Sequence, residues 1–325
     1  MKLFSIAVLS CLASVLVSPV ARAQDGKLTV ANIVFQDDQY FRLSLFGARD
    51  AARKLGVEVR EGNSQNKLDK ERQLVDTYIA AKVDAIILSP LSKKASVETV
   101  KRAKSKGVAV VLVNTTIEAD LADASVQFDD ADMGHQTGAA AAKYINQKLN
   151  GNAKVAILQF KSQVPEQSAA RVNGFRDALK DLPGVEFVAD QDAWLTEMAV
   201  KKASDILTAH PDLDIIYAAN EGGTVGSALA VKNSGRAGRT VVFGINASEQ
   251  IVSFLRSSDN ILQAVCDPPP FAAGSSAMEV AVKVCRKEAF EKSTQLKGTL
   301  LTRESPAGID EYEKNLKDWM AKGSQ

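Results

Sequence analysis

Short apolar runs rich in valine and isoleucine recur along this chain, most of them followed by a stretch of helical periodicity. They are LTVANIVF from Leu28, GVEV from Gly56, VDAIILSP from Val83, VAVVLVN from Val108 and ASVQF from Ala124. AKVAILQF from Ala153, VEFV from Val185, DIIYAAN from Asp214, TVVFGIN from Thr240 and ILQAVC from Ile261 follow. Apolar runs that do not alternate belong to strands covered on both faces, and helices between them make parallel crossovers. The intervening segments agree. Phe41, Leu45, Ala48, Ala52 and Leu55 are spaced as one face of a helix that Gly56 ends. A helix from about Met133 to Leu149 divides the runs into two sets of five, with no Pro/Gly/Ser-rich linker between them. The pattern predicts an α/β chain with two doubly wound parallel-sheet lobes.

The first 23 residues stand outside that pattern. Lys2 precedes an apolar stretch from Leu3 to Val17, and Ala21-Arg22-Ala23 puts small residues where a signal peptidase accepts them. Residues 1–23 read as a signal peptide cleaved after Ala23, and the protein as exported to the periplasm. Val8-Leu9-Ser10-Cys11 resembles a lipoprotein signal, but the apolar run continues past the cysteine. With 46% hydrophobic and 24% charged residues the chain is neither disordered nor a polytopic membrane protein. Its formal charge of +1, without long runs of one sign, gives no nucleic-acid stripe. Three Cys and two His leave little room for zinc, an iron–sulfur cluster or a disulfide framework, so a metal could be held only by oxygen ligands. Neither a metal nor a cofactor is expected. Export makes Cys266 and Cys285 a possible bridge. Cys285, however, falls about three turns into the helix after Cys266, roughly 15 Å along it, which favours two buried thiols.

Ligands of doubly wound sheets sit beyond the carboxyl ends of the strands. The loop after the first run, Gln36 to Phe41, has no glycine to let backbone approach a pyrophosphate. Gly222-Gly223-Thr224-Val225-Gly226 follows a strand but lacks the GxGxxG spacing, and GxxxxGK[ST], GxSxG and HExxH are absent from the sequence. His135 and His210 fall within or at the end of helices, and no nucleophile, base and orienter occur together, so the chain reads as a binder rather than an enzyme. The strand ends hold other chemistry. Asp38, Tyr40 and Phe41 follow the first run, Asn114 and Thr115 the fourth, and Trp194 follows VEFV. Asn220 and Glu221 follow DIIYAA, Asn246 follows VVFGI and Asp267 follows ILQAVC. Flat rings cover the C–H faces of a small polyhydroxylated ligand, while amides, carboxylates and a guanidinium take its hydroxyls in pairs.

The segments NIVFQDDQYF with GARDAARKLGVEV, DAIILSPLSKKA, EQSAARVNGFRDAL, LTAHPDLDIIYAANE and VVFGINAS together resemble the periplasmic sugar-binding proteins of ABC transporters, of the ribose-binding type. The resemblance spans residues 28 to 303 or so. It implies two Rossmann-like lobes joined by a three-crossing hinge, the type I periplasmic binding protein fold. It also implies a ligand enclosed by lobe closure. By it, Asp38, Tyr40 and Phe41 match the polar residue and aromatic pair after the first strand. Arg171 matches the arginine of an AAR motif, Trp194 an aromatic, and Asn220 the asparagine before an acidic residue. The sequence departs from the family where Asn114-Thr115 replaces Asp-Arg, where Asn246 replaces an aspartate, and in the crossing Cys266-Asp267-Pro268-Pro269-Pro270. The implied function is capture of a small neutral sugar or polyol and its delivery to a membrane ABC permease. A sensory module presenting its bound state to a receptor or histidine kinase is the alternative. The expected lobes are residues 24–127 with 268–297, and 128–267 with 298–325, in a monomer. Tyr312, Leu316, Trp319 and Met320 lie on one face of a C-terminal helix that docks rather than hangs free.

Overall fold

The computed structural model describes residues 27–323, so the expected signal peptide and its cleavage after Ala23 lie outside the described residues. The first lobe begins with β1 (Thr29–Val34), α1 (Gln39–Leu55), β2 (Glu58–Asn63), α2 (Leu68–Ala80), β3 (Ala85–Leu88), α3 (Ser96–Ser105), β4 (Ala109–Asn114) and β5 (Ala124–Phe128). The second holds α4 (Asp130–Lys148), β6 (Asn152–Gln159), α5 (Pro165–Leu179), β7 (Gly184–Asp192), α6 (Thr196–Ala209), β8 (Ile215–Ala218), α7 (Glu221–Asn233), β9 (Val241–Ile245), α8 (Glu249–Arg256) and β10 (Leu262–Asp267). The chain then returns to the first lobe for α9 (Pro270–Arg286) and β11 (Ser293–Leu296), crosses again for β12 (Thr299–Thr302), and ends in α10 (Pro306–Gly323). It thus passes between the lobes three times.

Both sheets have six strands, ordered β11-β5-β4-β3-β1-β2 and β12-β10-β9-β8-β6-β7. All pairings are parallel except β10 with β12. The ten strands expected from the apolar runs are present, and the inner strands β3, β8 and β9 are buried at every position. The added strand β11 reads STQL and alternates exposed with half-buried residues, as an edge strand does. Cys266 and Cys285 are both free; Cys266 is buried as expected, whereas Cys285 is only partly so. They belong to elements of different lobes, β10 and α9.

Glycines set how closely the helices approach. A Cβ on Gly134 of α4 would fall 2.0 Å from the Arg171 carbonyl oxygen, and one on Gly174 of α5 would fall 2.1 Å from that of Ala131. The two helices therefore touch backbone to backbone. Gly47 and Gly274 do the same for α1 and α9. The C-terminal helix packs on both lobes: Trp319 stacks on Phe271 with centroids 5.6 Å apart, Arg49 donates to the Gly323 carbonyl, and the Tyr312 hydroxyl donates to Ala247 O at 3.0 Å. Gly134→Ala must separate α4 from α5. We expect a loss of about 1–3 kcal/mol or more, measured by denaturant unfolding, while Gly→Ala at Gly308, where a Cβ would meet only the Ser305 hydroxyl at 3.8 Å, stays near wild type.

Candidate functional site

The carboxyl ends of the two sheets face each other, and a cavity of about 50 Å³ lies between them. One water needs roughly 10–15 Å³ of such space, so it has room for a small ligand or a few waters. Helix starts supply much of its wall. Asp38 caps α1, accepting the Phe41 N–H at 2.9 Å on one oxygen and the Gln36 amide at 2.6 Å on the other. Asn220 caps α7, accepting from the Gly223 N–H at 3.1 Å and donating to Trp194 O at 2.8 Å. Asn114 ends β4 and Asn246 directly follows β9, both with the same left-handed φ of 73°, a region that asparagine tolerates better than most residues. The Tyr40 hydroxyl is 3.2 Å from Asn114 Oδ1 and orients that amide. Of the expected residues, Asp38, Tyr40, Phe41, Asn114, Arg171, Asn220, Glu221 and Asn246 line the cavity.

Arg171 is less free than its sequence suggests. The α4–α5 contact at Gly134 and Gly174 brings it to Asp130, whose Oδ1 accepts from Nε at 2.8 Å, while a second nitrogen donates to Ala219 O at 2.9 Å. The guanidinium carbon lies 5.2 Å from the Phe160 ring centre. Buried at 4% exposure, Arg171 is a fixed cation with only part of its donor fork available to a ligand.

Burial dominates the ionisation of the acids. It lifts Glu221 from about 4.5 to about 8, and the neighbouring charge of Asp38 adds to the shift against the Ser248 hydroxyl, Arg42 and the Tyr40 N–H. Asp38 also rises by burial, opposed chiefly by the Phe41 N–H and the Gln36 amide. Burial raises Asp130 as well, with Arg171 as the main opposing charge. One Glu221 oxygen, Oε2, is sealed from solvent without a hydrogen-bond partner.

Three expected residues stand elsewhere. Trp194 does not line the cavity but a neighbouring groove between the lobes, with Lys67, Arg72 and Pro165, that shares Gln163 with it; it follows β7, the outermost strand of its sheet. Thr115 is buried off the cavity, its N–H turned back onto Val113 O at 2.9 Å. Asp267 is buried behind the wall, where one oxygen accepts the Ala247 N–H at 2.7 Å and burial holds its carboxyl well above the ordinary range. In their place come Phe35, Phe160, Gln163 and Gln167. Gln163 spans the lobes, its amide donating to Gln36 Oε1 at 2.8 Å and Asn66 Oδ1 at 3.2 Å. Phe160 was legible as the end of AKVAILQF; Gln167 lies in the segment EQSAARVNGFRDAL, four residues before Arg171, but was not singled out, and Gln163 sits in a polar loop with no distinguishing pattern. Among the described residues no three His, Cys, Asp or Glu side chains are grouped to hold a metal ion.

Two parallel-sheet lobes whose strand ends enclose a small polar cavity define a solute-binding protein rather than a nucleotide fold. A sequence model of the periplasmic binding protein domain matches residues 29–289, and the chain belongs to that family. It is 32% identical over 291 residues to the ABC transporter periplasmic-binding protein YphF of Escherichia coli K12, covering 87% of this chain and 88% of that one. Among solved structures it resembles a carbohydrate transporter solute-binding protein from Agrobacterium radiobacter in complex with D-arabinose, at a TM-score of 0.81 and 23% identity over 88% of this chain and 98% of that one. It also resembles GanP, a glucose-galactose binding protein from Geobacillus stearothermophilus, at 0.77 and 25% over 86% and 99%.

Replacing Arg171 by Ala strands Asp130, itself raised by burial. A loss of about 3–5 kcal/mol follows from removing one partner of a buried pair, and Arg171→Met with Asp130→Leu should recover much of it in thermal unfolding. For Glu221 the raised value means that the folded chain holds a proton that a hydrated glutamate releases. Its contribution is present below about 4.5 and is lost as pH rises toward about 8. Between pH 5 and 9 the melting temperature of wild type should therefore fall further than that of Glu221→Gln; parallel curves would contradict the burial of this carboxyl.

Proposed function

We propose that the mature protein, cleaved after Ala23, is the periplasmic solute-binding component of an ABC importer that encloses a hydroxylated ligand, a sugar or polyol, between its lobes and presents it to the membrane permease. The observation that carries this reading is the cavity itself. Its amides at Asn114, Asn220 and Asn246, the carboxylate of Asp38, the guanidinium of Arg171 and the rings of Phe41 and Phe160 offer paired polar contacts beside flat apolar faces. D-arabinose and glucose-galactose, named for the related structures, belong to the same ligand chemistry. We assign the lobes to residues 24–127 with 268–297 and to 128–267 with 298–325, α10 resting on both. Binding and release, with no bond broken, are the whole of the chemistry in this reading.

Ligand gains its full set of contacts only with both lobes against it, so binding favours the closed arrangement. A melting-temperature screen over pentoses, hexoses and polyols should find a stabilising compound, since about 100-fold excess over Kd adds roughly 2.7 kcal/mol. Small-angle scattering at saturation should then show a smaller radius of gyration; an unchanged radius with tight binding would rule out closure.

A further inference from the structure

We propose that Gln163 is a positioning residue: its amide latches the two lobes over the ligand and so sets how slowly the ligand leaves. The inference rests on the solute-binding reading above and deepens it. Gln163 lies in the loop between β6 and α5, on one lobe, and its side chain crosses to the other. There it donates to Gln36 Oε1 at 2.8 Å, just after β1, and to Asn66 Oδ1 at 3.2 Å, just after β2. Two other contacts that cross between the lobes are longer: the Gln167 amide stands 3.4 Å from Asn114 O, and the Glu249 N–H donates to Gln39 Oε1 at 3.3 Å. Gln163 also lines both the cavity and the groove that carries Trp194, so it stands in the passage between them.

Both ends of the latch are held in place. On its own lobe, the Gln163 and Val164 N–H groups donate to Phe160 O at 3.0 and 3.2 Å, and the Phe160 N–H donates to Ser168 Oγ at 3.0 Å in α5. On the facing lobe, Gln65 and Asn66 turn the chain with left-handed φ of 52° and 57°. The Asn66 N–H donates to Phe35 O at 2.8 Å, which ties it to the residue before Gln36. The hydrogen bonds then run in one direction. A carboxylate only accepts, so Asp38 Oδ2 takes the Gln36 NH2 at 2.6 Å. That turns the Gln36 oxygen toward the other lobe, where a donor must meet it, and the Gln163 NH2 supplies two N–H groups for two oxygens. Closing the lobes thus completes a chain from Gln163 through Gln36 to Asp38, the cap of α1 and a residue of the cavity wall. Members of such a chain strengthen one another.

This polarity supplies the test, because isosteric amide-to-carboxylate changes at the two ends should act in opposite ways. Gln163→Glu removes both donors and sets a further oxygen against those of Gln36 and Asn66. Asn66→Asp keeps an acceptor and charges it, and aspartate tolerates the left-handed backbone as asparagine does. The mature protein is titrated calorimetrically with D-arabinose, D-ribose, D-glucose, D-galactose and myo-inositol, and release of each compound that binds is timed by stopped-flow fluorescence. Gln163→Ala should release about tenfold faster than wild type and Gln163→Glu faster still, with association rates within about threefold. Asn66→Asp should release no faster than wild type. Gln163 variants that release at the wild-type rate, or an Asn66→Asp that releases as fast as Gln163→Glu, overturn the latch and leave the solute-binding reading intact. A panel in which none of the five compounds binds counts against both.

Discussion

Parallel strands hold together only when helices cover both faces of their sheet, and this leaves the row of carboxyl strand ends as the part of each lobe that no helix shields. In one lobe those ends, with the helix starts beside them, would lie open to water. Two lobes set edge to edge close them off, and that is why polar groups as costly to bury as Asp38, Arg171 and Glu221 can occupy the middle of the molecule. The three passages of the chain between lobes keep the edges in register, and Gln163 reaching Gln36 and Asn66 shows how short the distance across them is.

The position of Arg171 follows from packing two helices away from any ligand. Gly134 and Gly174 let α4 and α5 meet at backbone distance, and only then does Asp130 reach the guanidinium at 2.8 Å. The ion pair, the ring of Phe160 beneath it and the Ala219 carbonyl fix the arginine before any ligand arrives. Such preorganisation lowers the ordering cost of binding. The same contacts take up part of the donor fork, so arginine here supplies field and shape as much as hydrogen bonds.

The strands were legible because unbroken valine and isoleucine runs have few other uses in a chain of this composition, and the helices because Phe41, Leu45, Ala48 and their successors keep one face apolar. The strand β11 was not, since STQL at a sheet edge buries almost nothing and carries no apolar signal. Asp267 ends the inner strand β10 but turns onto the Ala247 N–H, whereas seven of the expected residues line the cavity because each follows or ends an inner strand, and Arg171 reaches it from within α5. Trp194 does not line it because β7 is outermost, and strand position within a sheet is a tertiary fact that local sequence does not encode. Thr115 shows the finer limit: adjacent residues after one strand diverge when the first takes a left-handed turn. Gln163 and Gln167 became functional candidates only once α5 and the loop before it were seen against the opposite lobe.

The two sheets repeat one strand order, with β1, β3 and β4 standing in the first where β6, β8 and β9 stand in the second. Asn114 and Asn246 occupy equivalent places with the same φ, as expected of an internal duplication whose halves meet about an approximate dyad. A sugar has no such dyad. Whatever the halves share therefore treats both ends of a ligand alike, and only the residues that one half possesses and the other lacks can tell those ends apart. Asp38 in one half, and Arg171 and Glu221 in the other, thus decide which way round a ligand lies, a polarity that neither half could impose by itself.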